Sequence, residues 1–199
     1  MVPEVRLFLA EDAILLWAHL EAKAGQALPP PFWASAWMGG QALARYVLDH
    51  PDIVAGRRVL DLASGSGLVA IAAALAGARV VVANDIDPYA ITAIEANARV
   101  NDVDVTTHLG DMLTGSGDDA DVVLAGDVLY NPSLAGAVLP FLARGVARGA
   151  RVLVGDPDRG HVPRQFLETV ATYRVPVTGA PEDAQIKFVD VLAPKLADI

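Results

Sequence analysis

Downstream of Gly56 the chain alternates short β-branched runs with stretches of helix length. The runs at 58–62, 79–83, 121–125 and 151–155 read as strands, and helices are expected at about 67–76, 89–101, 134–146 and 163–173. Such alternation predicts a parallel sheet with covering helices. Right-handed crossovers would bring the C-terminal ends of its strands to one edge, where sheets of this kind bind ligands. Two further strands, near 173–178 and 185–192, flank a Gly179-Ala180-Pro181 turn and predict an antiparallel pair, with 193–199 as a tail. Upstream, Leu7, Phe8, Ala10, Ile14, Leu15, Trp17 and Ala18 recur at near-helical spacing, which predicts one or two helices within 4–23. The consecutive prolines Pro29, Pro30 and Pro31 make 28–32 an extended connector, followed by a helix over 35–49 that Pro51 closes.

The expected fold class is therefore α/β: one mostly parallel seven-stranded sheet with an antiparallel C-terminal strand and helices on both faces. A chain of 199 residues, 53% hydrophobic, suits one core. The expected organisation is a single domain over 1–199, with a helical extension at 1–50 and the α/β core at 57–199. The apolar stretch 68–82 is interrupted before the ~20 residues that cross a bilayer, so no membrane span is expected. Glu4, Glu11 and Asp12 stand where a secretory signal needs basic and apolar residues. With no cysteine, disulfides and thiol catalysis are excluded, and a cytoplasmic location is expected. Fifteen basic against 24 acidic residues give a formal charge of −9, which argues against nucleic acid and for a protein or small-molecule partner. His19, His50, His108 and His161 are dispersed, so no metal site is expected.

The candidate chemistry begins where the first strand runs into Val59-Leu60-Asp61-Leu62-Ala63-Ser64-Gly65-Ser66-Gly67. Gly65 and Gly67 permit close backbone approach to a ligand at the turn into a helix. Gly65 to Ala70 also spell the G-x-G-x-x-A of dinucleotide enzymes, so an NAD-dependent oxidoreductase has to be weighed. Asp61 discriminates, because a carboxylate there repels a pyrophosphate and attracts the ammonium of a methionine moiety. Asp85, after the second strand, is placed to accept ribose hydroxyls, and Asp111, after the third, to take an adenine amino group. Asp87, beside Pro88, reads as a helix N-cap. Strand, acid, glycines, helix, strand, acid, helix, strand, acid is the order of a Rossmann-like class I methyltransferase using S-adenosylmethionine, with S-adenosylhomocysteine as product.

A closer resemblance rests on Pro31-Phe32-Trp33-Ala34-Ser35-Ala36-Trp37-Met38-Gly39-Gly40-Gln41-Ala42-Leu43-Ala44-Arg45-Tyr46 followed by the run from Val59 to Gly67. It continues through Asp85-Ile86-Asp87, Ala125-Gly126-Asp127-Val128-Leu129-Tyr130 and Val154-Gly155-Asp156-Pro157. The chain resembles the electron transfer flavoprotein β-subunit lysine methyltransferases, within the wider group marked by an Asp-x-x-Tyr motif. The resemblance implies that Trp37 packs on the cofactor, that Gly126 belongs to the cofactor-binding set, and that Asp127 and Tyr130 serve the acceptor lysine. It implies the flavoprotein β subunit as protein substrate; separately, a monomer is expected. Asp127 would orient the incoming ammonium while Tyr130 lines a desolvated channel; their ordinary alternatives are an N-cap for the helix near Ser133 and a core residue. Asp156 and Arg159 share that edge without an assigned role. Rival readings are another protein acceptor such as a ribosomal protein, a small-molecule acceptor, or a catalytically silent cofactor-binding protein.

Overall fold

The computed structural model describes residues 1–115, 117, 119–176 and 186–195. Its helices are α1 (Ala13–Ala24), α2 (Met38–Asp49), α3 (Leu68–Leu75), α4 (Pro88–Val100) and α5 (Pro132–Ala147). The strands are β1 (Arg58–Leu62), β2 (Val80–Asp85), β3 (Thr106–Leu109), β4 (Val122–Gly126), β5 (Arg151–Asp156), β6 (Leu167–Pro176) and β7 (Ile186–Pro194). They form one seven-stranded sheet in the order β3-β2-β1-β4-β5-β7-β6. The pairings from β3 through β5 are parallel, and β7 runs antiparallel to both β5 and β6. The fold is the Rossmann-like α/β architecture that the alternation of runs predicts.

Continuous apolar strands are what a sheet covered on both faces requires. Successive residues accordingly enter opposite cores. Val59, Val122, Leu124 and Leu153 pack with α2 and α3 on one face. Leu60, Val123, Ala125, Val152 and Val154 pack with Val138, Phe141 and Leu142 of α5 on the other. Between β1 and β4 the register sets Asp61 opposite Leu124, and between β4 and β5 it sets Gly126 opposite Gly155. The strand order reverses between β1 and β4, the kind of position where open α/β sheets bind ligands beyond the strand ends.

Three expectations need correction. Residues 163–173 are not a helix: 157–166 run as loop and turn, and Leu167–Pro176 is β6. From Val170 to Val175 exposure alternates with period two, with Ala171, Tyr173 and Val175 turned inward. The β-branched and aromatic residues of this stretch suit a sheet edge, and nine register pairs with β7 supply their backbone partners. The turn at Gly179 lies outside the described residues. At the N-terminus, helix begins only at Ala13, where Asp12 caps the amides of Ile14 and Leu15. The preceding segment is an extended strap whose amides bond to α4: Phe8 N–H to Asn97 Oδ1 at 2.7 Å and Arg6 N–H to Asn101 Oδ1 at 2.8 Å. Finally, α2 starts at Met38 rather than 35, after a 3-10 turn at Phe32–Ala34. No helix among the described residues is long and apolar enough to cross a membrane.

Candidate active site

Beyond the C-terminal ends of β1, β2 and β4 lies a cavity of about 500 Å³, a size ordinary for a small-molecule site. Its wall includes Trp37, Gly65, Asp85, Asp111, Gly126, Asp127 and Tyr130, which the sequence singled out. Gly67 is not part of that wall. It stands in the left-handed region (φ 83°) at the start of α3, where a Cβ would press on Ile94 of α4.

The loop after β1 is built to present amides. Gly65, also left-handed at φ 56°, donates its N–H to Asp85 Oδ2 at 2.9 Å, and Asp87 donates its N–H to Asp85 Oδ1 at 3.0 Å. Burial pushes the Asp85 carboxyl up, against the pull of these two bonds. Each of its oxygens keeps a lone pair for a hydroxyl donor. Asp87 itself caps α4 by accepting from Tyr89 N–H, as its sequence context indicated. On the far side, Asn84 Nδ2 donates to Gly110 O at 2.8 Å and to His108 O at 3.0 Å, which ties the loop after β3 to β2. Asp111 in that loop accepts Leu113 N–H at 2.7 Å and lines the cavity. Ile86, Met112, Leu113, Leu134 and Val138 make that end apolar, and sequence reasoning assigned none of them.

Asp61 does not face the cavity. Its position in β1 turns the carboxylate toward α3, where Oδ2 accepts Ser64 Oγ–H at 2.5 Å and Ala70 N–H at 3.0 Å. It is 1% exposed, and burial pushes its pKa to about 7 despite those bonds, with the Asp85 charge adding to the rise. It borders a smaller recess shared with Ser35, Gly40 and Asp127. A buried carboxylate with no cationic partner of its own is a favourable neighbour for a positive charge.

Asp127 sits at the end of β4 with φ 56°, an uncommon conformation for a residue other than glycine. It is not the cap of α5, a role filled by Asn131, which accepts Leu134 N–H at 2.9 Å. Asp127 Oδ2 instead accepts Gly40 N–H at 2.9 Å, in the first turn of α2, and Oδ1 accepts Arg159 Nη1–H at 3.1 Å. Burial raises its pKa, and the Gly40 amide and the Arg159 guanidinium oppose the rise. Tyr130 is 41% exposed at the cavity mouth, so it is not a core residue. Phe32 bridges Trp37 and Tyr130, with ring centroids 5.8 and 5.9 Å away. Trp37 Nε1–H donates to Phe32 O at 2.7 Å, fixing this aromatic rim, whereas Trp33 stacks on Tyr89 away from the cavity. Phe32 and Arg159 are the members of this end that sequence left without a role. Among the described residues no cluster of His, Cys, Asp and Glu could hold a metal.

Comparison with known proteins finds methyltransferases by both sequence and fold. The family model described as ribosomal protein L11 methyltransferase matches residues 41–138. An electron transfer flavoprotein beta subunit lysine methyltransferase of Danio rerio is 40% identical over 182 residues, spanning 88% of this chain and 70% of that protein. Among solved structures, a putative RNA methyltransferase from Pyrococcus horikoshii superposes with TM-score 0.59 at 19% identity, covering 78% of this chain and 80% of that one. A Pyrococcus abyssi tRNA (uracil-54, C5)-methyltransferase in complex with S-adenosyl-L-homocysteine superposes with TM-score 0.54 at 18% identity, covering 78% of this chain and 37% of that one. At those identities the solved structures speak to the fold alone.

Proposed function

This chain belongs to the electron transfer flavoprotein β subunit lysine methyltransferase family, and from that membership we propose that its substrate is an electron transfer flavoprotein β subunit, methylated on lysine. It is a methyltransferase, and its cofactor is S-adenosylmethionine. The observation that carries the reading is the joining of two unlike halves in one cavity: an acid-and-apolar half at Asp85 and Asp111, and an aromatic mouth at Asp127.

The residues present fit the cofactor. When bound it supplies a methyl group made electrophilic by a sulfonium centre. Asp85 would accept the ribose hydroxyls and Asp111 the adenine amino group, with Ile86, Met112 and Leu113 as the apolar walls. Gly65 and Gly126 would let backbone close on the ligand, Asp61 would attract its ammonium through the smaller recess, and Trp37 would pack against its positive charge.

The chain's part in the chemistry is to deliver a neutral amine. A lysine nitrogen must lose its proton before it can attack, and its free pKa of about 10.4 makes that costly at neutral pH. Asp127 orients the ammonium on arrival, Tyr130 and Phe32 strip its water at the mouth, and bulk solvent takes the proton. Holding nitrogen and electrophile in line then supplies much of the rate.

We take 1–199 as one methyltransferase domain with 1–50 as its N-terminal extension. The protein is read as a cytoplasmic monomer without nucleic-acid or membrane partners; the formal charge of −9 supports leaving out nucleic acid, and the absence of cysteine suits a reducing compartment. The test is the intact mass of recombinant flavoprotein β subunit after incubation with enzyme and S-adenosylmethionine. Added methylenes on lysine are expected. An unchanged β subunit beside a methylated ribosomal protein L11 would transfer the reading to the acceptor named by the family model.

A further inference from the structure

We infer that Arg159 is a positioning residue that offsets the charge of Asp127, so that an acceptor amine drawn to Asp127 can still give up its proton. The inference rests on the lysine methyltransferase reading above.

The difficulty it resolves is electrostatic. A carboxylate is a good docking point for an ammonium, but in a poorly solvated site the same carboxylate holds the proton on. Asp127 is such a carboxylate, with a side chain only 9% exposed. Every anionic neighbour compounds the effect. At the end of β5 stands Asp156, fully buried, whose Oδ2 has no hydrogen-bond partner and whose pKa is raised mainly by burial and in part by the Asp127 charge. Across the smaller recess on β1 stands Asp61, and along the cavity stand Asp85 and Asp111. From α2 come the amides of Gly39 and Gly40, and Tyr130 lines the same cavity.

Against this set the described residues lining the cavity contribute a single Lys or Arg, which is Arg159. Its Nη1 lies 3.1 Å from Asp127 Oδ1. The charge also lowers the Asp156 carboxyl, so one guanidinium serves both acids at the ends of β4 and β5. A guanidinium keeps its charge throughout the range in which enzymes work, so it cannot itself become the proton acceptor. Its neighbours on the same loop do not compete for it, because Asp158 is taken by Arg164 at 2.7 Å. The pair Asp127–Arg159 thus offers an ammonium an oxygen to approach with less of the negative charge that would retain its proton.

The experiment is the pH profile of kcat, which reports groups within the enzyme–acceptor complex, for wild type, Arg159→Gln and Arg159→Lys, with the flavoprotein β subunit and, in parallel, poly-L-lysine as acceptors. Glutamine ends where the Arg159 Nε stands, keeping an amide donor on the side chain and removing the charge; lysine keeps the charge. The Arg159→Gln inflection is expected about one unit or more to the alkaline side, with roughly a tenfold loss near neutrality that recovers at high pH. Arg159→Lys is expected to keep the wild-type inflection. An unmoved inflection in Arg159→Gln, or an equal loss at every pH, would overturn the inference and leave a structural tether. Independently of any acceptor, a carbon-13 titration of the Asp127 carboxyl should move to higher pH in Arg159→Gln but not in Arg159→Lys, and a titration that stays put overturns the inference as well. Wild type that methylates neither acceptor contradicts the functional reading instead, and the carbon-13 result still decides the role of Arg159.

Discussion

Asp127 Oδ2 accepts the backbone N–H of Gly40 at 2.9 Å, so a carboxylate at the end of β4 caps the first turn of a helix that lies 87 residues earlier in the chain. The residue in the N-cap position of that helix, Trp37, makes no side-chain capping bond. One acid therefore serves the fold, by satisfying a helix terminus, and the cavity, by facing its mouth.

Separating the two roles gives the first prediction. Asp127→Asn keeps an oxygen for the Gly40 amide and loses the charge, so its unfolding free energy should stay within about 1 kcal/mol of wild type. Methyl transfer should fall roughly 100-fold or more, in the range for losing an oriented polar group in a transition state. Asp127→Ala should lose transfer and, in addition, about 1–2 kcal/mol of stability through the missing cap. Urea unfolding beside a transfer assay checks both. Equal stability loss in the two variants would deny the capping role.

The approach of α2 to the sheet depends on two glycines. A Cβ on Gly39 would strike the Gly155 carbonyl, and one on Gly155 would strike the Gly39 carbonyl. The nearest atom struck in each case is a backbone oxygen, which cannot yield as a flexible side-chain end can, and the Gly39 Cβ would also meet Asp127 Oδ2 at 2.7 Å. Gly39→Ala and Gly155→Ala should each cost about 1–3 kcal/mol, the usual range for overpacking. Because the same contact seats Gly40 beside Asp127, transfer should drop with stability. A denaturation midpoint equal to wild type would contradict the close packing.

Asp61 predicts a pH signature. Its folded pKa of about 7 lies above the ordinary carboxylate range, so the folded protein holds a proton that the unfolded chain has released. Stability contributed by this group is therefore lost as pH rises from about 4 to about 7 and is constant above, a penalty of order a few kcal/mol. Asp61→Asn should consequently unfold at higher temperature than wild type at pH 8, with the gap closing toward pH 4. The same variant should bind S-adenosylhomocysteine more weakly, a functional cost for added stability. Thermal scans at several pH values test the sign; a gap that widens on acidification would refute it.

Much of this was legible beforehand because it is local. The runs at β1, β4 and β5 are apolar on both faces, and Asp61, Asp85, Asp111 and Asp127 stand at or near strand ends that a parallel sheet gathers at one edge. What sequence missed is non-local. Leu167–Pro176 carries spaced apolar residues that suit either period, and its β state is decided by pairing with β7, about 20 residues on. The strap at Arg6 and Phe8 is extended because Asn101 and Asn97 bind its amides from 95 and 89 residues away. Arg159 meets Asp127 across 32 residues, and no spacing rule announces that pair. The inward turn of Asp61 was foreseeable in part. Alternation along β1 puts it on the same face as Val59, toward α3, rather than at the strand tip.

If this cavity holds the methyl donor, calorimetric titration of wild type and Asp85→Ala with S-adenosylhomocysteine and, separately, with NAD should read it directly. Wild type is expected to bind S-adenosylhomocysteine in the micromolar range and Asp85→Ala about 10- to 100-fold more weakly, the cost of hydrogen bonds to a charged group. No measurable heat is expected with NAD. Equal affinity in the two proteins, or preference for NAD, would contradict donor binding in this cavity.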